Sequence, residues 1–165
     1  EEIHGVYEAK DIHDVYKADE IHGTYEASEL HGVYEASELH GSYDARELHG
    51  SYDAKELHGS YNADELNGVY SAEECKSGGY SASELKDGYY DCGEMADAGF
   101  DCGELANAGY DLYELADHFD LKELSNHFSL SELETQFSDD ELIAAGLKEA
   151  PQEDEFGEGF GDTFW

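Results

Sequence analysis

The chain has 165 residues, 42 of them Asp or Glu against 8 Lys or Arg, for a formal net charge of −34. With so few basic residues there is no basic face to grip phosphates, which argues against nucleic acid as a partner, and no apolar run approaches the roughly 18 residues that cross a bilayer. Leu, Ile, Val and Phe together make up less than a fifth of the chain, a balance that usually leaves a polypeptide disordered. Against disorder stand 13 tyrosines and a strict repeat.

Taken in order, Glu1-Glu2-Ile3-His4-Gly5 enters in the middle of a unit, without Met or a signal peptide. This is expected of a processed product or a piece of a longer chain. From Tyr7 an aromatic returns every nine residues, at Tyr16, Tyr25, Tyr34, Tyr43, Tyr52, Tyr61 and Tyr70. The period is ten at Tyr80, Tyr90, Phe100 and Tyr110, then nine again at Phe119, Phe128 and Phe137, which makes 15 units. The extra residue predicts longer helices over 70–110 and a change of curvature, where a partner is expected to sit. In the last units Asp117 and Asn126 occupy the turn position.

The second half has the cleaner capping chemistry. Ser71, Ser81, Asp91, Asp101, Asp111, Asp120, Ser129 and Ser138 are each followed three residues later by Glu, from Glu74 to Glu141. That spacing is the capping box: the cap side chain accepts a free helix N–H and the Glu reaches back to the cap N–H. The aromatic before the cap and the Leu or Met four residues into the helix form a hydrophobic staple. Gly99, Gly109 and Gly146 predict left-handed helix ends. In the first half Glu8, Lys17, Glu26 and Glu35 are poor caps, whereas Asp44, Asp53 and Asn62 are good ones, so the N-terminal units should fray first.

Each predicted helix holds about five to seven residues, in part 3₁₀ in the first half, well below the roughly 12–15 at which an isolated helix becomes marginal in water. The aromatic, Ala and Leu of each unit must therefore be buried by neighbouring units, which is the logic of a solenoid. Two or three units per coil are expected. After Gly146 the repeat stops, and an acidic tail follows with the only proline, Pro151, and the aromatics Phe156, Phe160, Phe164 and Trp165. Such a tail is expected to order only against a partner.

Several rows of side chains suggest chemistry. His4, His13, His22, His31, His40, His49 and His58 share one position and have the residue type for Zn²⁺, Cu²⁺ or haem. Asn67, Lys76 and Lys86 follow in that position; lysine replaces a cation at a helix C-terminus but not a metal ligand, so the helix dipole is the better explanation. Neighbouring acids should raise the histidine pKa values. Glu29, Glu38, Glu47, Glu56 and Glu65 form a row that would hold divalent cations weakly at most, since no D-x-D-x-D-G loop is present. Cys75, Cys92 and Cys102 stand in core positions. Cys92 and Cys102 share a register that would allow a disulfide, and no spacing supports a zinc site. The tyrosines read as core rather than as a charge-hopping path. Every candidate catalytic residue is copied along the chain and no nucleophile, P-loop or H-E-x-x-H pattern occurs, so neither enzyme activity nor a cofactor is expected.

The segment Gly79-Tyr80-Ser81-Ala82-Ser83-Glu84-Leu85-Lys86-Asp87-Gly88-Tyr89 resembles a short tandem repeat, S-A-x-E-L-K-x-A-G-[YF], found in large proteins of microbial eukaryotes and bacteria. The resemblance covers residues 3–147, is strongest at 71–110, and departs in the first half, where His-Gly stands for Lys-x-Ala-Gly. It implies a compact helical solenoid and carries over no site residue. The expected fold is all-α: a short-helix solenoid over 1–147 and an irregular acidic tail over 148–165. The expected role is a structural scaffold or linker that binds protein partners in a multi-subunit assembly, with Phe156, Phe160, Phe164 and Trp165 as apolar contacts. The alternative is a secreted or surface acidic protein that binds divalent cations or forms filaments.

Overall fold

A computed structural model describes residues 3–151. Phe156, Phe160, Phe164 and Trp165 lie outside the described residues, as does most of the predicted tail. The described residues form 15 helices and no strand. Seven single turns come first: α1 (Ala9–Ile12), α2 (Ala18–Ile21), α3 (Ala27–Leu30), α4 (Ala36–Leu39), α5 (Ala45–Leu48), α6 (Ala54–Leu57) and α7 (Ala63–Leu66). Four longer helices follow: α8 (Ala72–Gly78), α9 (Ala82–Asp87), α10 (Cys92–Asp97) and α11 (Cys102–Ala108). Then come α12 (Leu112–Leu115), α13 (Leu121–Leu124), α14 (Leu130–Leu133) and α15 (Asp139–Ala144). The ten-residue units do carry the longer helices, while the nine-residue helices, at four residues, are shorter than the sequence predicts.

The reason lies in the turn. In α4 the chain leaves the helix at once: His40 is extended at φ −57°, ψ 132°, Gly41 is left-handed at φ +86°, and Ser42 N–H donates to the Leu39 carbonyl. These are the dihedrals of a type II turn, which needs glycine at its third residue. In α8 and α11 the extra residue lets the helix run on and end at left-handed Gly79 and Gly109, with the crossed hydrogen bonds of a Schellman motif, as in Tyr80 N–H to Cys75 O and Gly79 N–H to Lys76 O. Asp117 and Asn126 make neither turn, because among the described residues Tyr89 is the only non-glycine with positive φ.

The eight predicted boxes are formed, for example Asp101 N–H to Glu104 and Glu104 N–H to Asp101, both at 2.8 Å. Glu8, Lys17, Glu26 and Glu35 do not cap with their side chains, and neither does Asn62, against expectation. In those units only the acid at the third helical position satisfies the cap N–H.

Helices contact the second helix along the chain: α1 packs on α3, α2 on α4, and so on to α9 on α11. Each coil therefore holds two units, and odd and even helices stack in separate columns. Between the columns runs a continuous core in which the leucines from Leu30 to Leu66 are fully buried beside Tyr25 through Tyr70 and the alanines. Burying one such leucine stabilises by about 1.5–3 kcal/mol, which a four-residue helix alone could never supply.

Where ten-residue units stack on nine-residue units, the longer helix overhangs the shorter one. A Cβ at Gly78 would lie 2.7 Å from the Ala54 carbonyl carbon, and one at Gly88 would lie 2.5 Å from Ala63 Cβ. Where ten stacks on ten, the equivalent positions are Ala98 and Ala108.

Candidate functional site

The side chains with chemistry lie at the boundaries between coils. Each ladder histidine leaves its turn and crosses to the next coil, where Nε2 faces the capping-box Glu 25 residues on, or 26 for His58: His22–Glu47 at 2.9 Å, His31–Glu56 at 2.9 Å and His40–Glu65 at 3.0 Å. His4–Glu29 and His13–Glu38 are at 3.2 and 3.1 Å. At the change of period the contact stretches, to 3.9 Å for His49–Glu74 and 3.5 Å for His58–Glu84. The ring also stands edge-on to the next coil's tyrosine, as in His40–Tyr61 at 4.7 Å and 83°.

Each box glutamate that faces a ladder histidine thus serves two structures with its two oxygens. Oε2 of Glu47 accepts the Asp44 N–H that starts α5, and Oε1 meets His22 of the coil before. Those backbone N–H donors, aided by the histidines, hold the carboxyls of Glu29 and Glu38 below the usual range. Glu74 and Glu84 are lowered by Ser71 and Ser81 together with His49 and His58. The hydrogen bond to Glu38 raises His13 above an ordinary imidazole, against the opposing effect of burial. The helix dipole expected to fix the histidines is replaced by this bridge between coils, because a four-residue helix has little dipole to offer.

The lysines in the same position use other acceptors. Lys76 Nζ sits 4.2 Å over the Phe100 ring and donates to Gly99 O. Lys86 Nζ sits 3.9 Å over Tyr110, donates to Gly109 O and lies 3.7 Å from Glu114. Asn67 donates to Gly88 O at 2.8 Å. Imidazole, amide and ammonium all serve to tie one coil to the next.

No set of three or more His, Cys, Asp or Glu side chains converges on a metal-sized space among the described residues; the ladder joins its ligand types in pairs. Cys75, Cys92 and Cys102 are buried free thiols, so Cys92 and Cys102 do not form the disulfide their register allows. Burial pushes the Cys92 thiol up to about 11.

The tyrosines carry a feature the sequence does not announce. Tyr43 Oη donates to the Tyr25 carbonyl, Tyr61 to Tyr43 and Tyr80 to Tyr61, one coil back each time. A parallel file runs through Tyr34, Tyr52, Tyr70, Tyr90 and Tyr110 down to Tyr16. Phe100 interrupts the first file. Burial raises Tyr43 and Tyr70 to about 12.

Two further groups escaped the sequence reading. Tyr89 stands at φ +65°, where Gly79, Gly99 and Gly109 stand in their units, and is 83% exposed. Gly93 and Gly103, inside helices, leave room for the His118 and His127 rings, whose Cε1 atoms would lie 3.1 and 2.7 Å from a Cβ at those positions.

A family model described as Decapeptide repeat region matches residues 50–119 and 69–149, together more than half of the chain. The chain belongs to the Decapeptide repeat region family. Its ten-residue units are those that carry α8 to α11, and the match extends over nine-residue units on both sides. No curated protein and no solved structure matches this decapeptide repeat chain. No helix of the described residues is long and apolar enough to cross a membrane.

Proposed function

We propose that this decapeptide repeat protein is a non-enzymatic scaffold or linker that binds other protein subunits along its length. The observation that carries the reading is that the ladder histidines, Lys76, Lys86 and the core tyrosines hold coil to coil and are copied from unit to unit. What is left facing outward is a repeated acidic surface. Catalysis needs one constellation unlike its surroundings. A repeated surface suits many weak contacts whose sum is tight. Phe156, Phe160, Phe164 and Trp165 are proposed as apolar contacts at one end.

The test is isolation from its natural source at near-native salt, followed by measurement of mass and subunit composition. Stoichiometric co-purification with other subunits, weakened when Phe164 and Trp165 are changed to Ala, is the expected outcome. A chain that is recovered alone, and that gains helical circular dichroism only on addition of millimolar Ca²⁺ or Zn²⁺, would overturn the proposal in favour of ion binding.

A further inference from the structure

The cation that crosses each coil boundary stops part-way along the chain. Five residues after the cap stand the histidines up to His58, then Asn67, Lys76 and Lys86, and after them Ala96, Ala106 and Ala116. The aromatics opposite the imidazole, amide and ammonium groups, from Tyr25 to Tyr110, are all buried. Phe119, Phe128 and Phe137, which stand in register opposite the alanines, are only half-buried. In the same units Oε2 of Glu123, Glu132 and Glu141 accepts the cap N–H. Among the described residues no cation from the coil before reaches those carboxylates.

The chain shows elsewhere what fits such a place. At Lys76 and Lys86 an ammonium lies over the ring and donates to a turn carbonyl, and at Lys86 the box carboxylate stands nearby. A cation over an aromatic face gains more as it is desolvated. We infer that Phe119, Phe128 and Phe137, with Glu123, Glu132 and Glu141, are receptor sites for lysine or arginine side chains of a partner protein. Phe119, Phe128 and Phe137 precede α13, α14 and α15, so the three sites follow one another along the chain, one unit apart. The inference rests on the scaffold reading and names the chemistry of its partner. The chain's own last 17 residues, 149–165, contain no Lys or Arg to occupy the sites, and a second copy carries the same −34 charge.

The experiment uses the full chain with ring-labelled phenylalanine, titrated with acetyl-hexalysine amide at physiological salt and followed by NMR. Phe119 and Phe128 signals should shift and saturate, while Phe100, already covered by Lys76, stays unmoved. Ala96→Lys and Ala106→Lys, which transplant the arrangement of Lys76 and Lys86, should remove the response at the corresponding ring and weaken the peptide by about tenfold per site. Equal shifts at Phe100, or an undiminished response in the variants, would reduce the effect to diffuse attraction by the acidic surface and overturn the inference. Shifts that grow with protein concentration alone would assign the sites to a second copy and overturn it as well. If subunits co-purify but their binding ignores both lysine variants, the sites fall and the scaffold reading stands. If the peptide binds at these rings but no subunit co-purifies, only the scaffold reading falls.

Discussion

A tyrosine in this chain does two jobs, and only one of them can be read from its neighbours. The staple identifies the aromatic before each cap, and Tyr25 through Tyr110 are buried as that motif requires. It does not distinguish Tyr from Phe, because the acceptor of each hydroxyl lies 18 to 20 residues back and is found only once the coil is known to hold two units. Tyr61→Phe should cost about 1–2 kcal/mol in urea unfolding, since the Tyr43 carbonyl loses its buried partner. The same substitution at exposed Tyr113 should cost nothing measurable. Tyr89 makes the opposite case. A left-handed backbone strains a side chain by roughly 1–2 kcal/mol, so Tyr89→Gly should raise the melting temperature unless the ring is held by a partner.

Helices were the most legible level of this protein. The boxes at Ser71 through Ser138 could be placed from spacing alone because both partners of each hydrogen bond lie within four residues. Asn62 shows the limit: its residue type suits a cap, yet in this unit Glu65 alone satisfies the helix start. The histidine positions were equally visible, but not their partners, which lie a full coil away. The change of period was legible as a number and opaque as a structure. Its consequence, a long helix pressed against a short one at Gly78 and Gly88, depends on how coils stack. Gly88→Ala drives a methyl into Ala63 and should destabilise by about 1–3 kcal/mol. An alanine already stands at the equivalent Ala98, so Ala98→Gly should destabilise mildly, through chain entropy and the lost packing of its half-buried methyl.

For the molecule as a whole, the bridges between coils predict a stability optimum on the acid side of neutrality. His13 has a raised pKa in the folded chain, so its contribution is complete below the ordinary imidazole value and fades as the pH rises through the raised one. Glu29, Glu38, Glu74 and Glu84 are lowered, so theirs is complete above the ordinary carboxyl value and fades as the pH falls. The window lies between the unperturbed values of about 4.5 and 6.5. Thermal melts should peak there. Changing His13 to Asn, the residue that stands in the equivalent place at position 67, should flatten the alkaline side of the curve. If the curve is unchanged, repulsion among the acids and not the bridges sets the pH response.

Pairing each unit with the one after next also makes parity a heritable property of the chain. Removing one nonapeptide, such as residues 35–43, transfers everything downstream to the opposite side, so that Tyr89 and Phe119 face away from their former companions upstream. Removing residues 35–52 merely shortens the stack and leaves every side chain on its original flank. Length can therefore drift freely in steps of two, whereas a step of one rewrites the surface offered to the world.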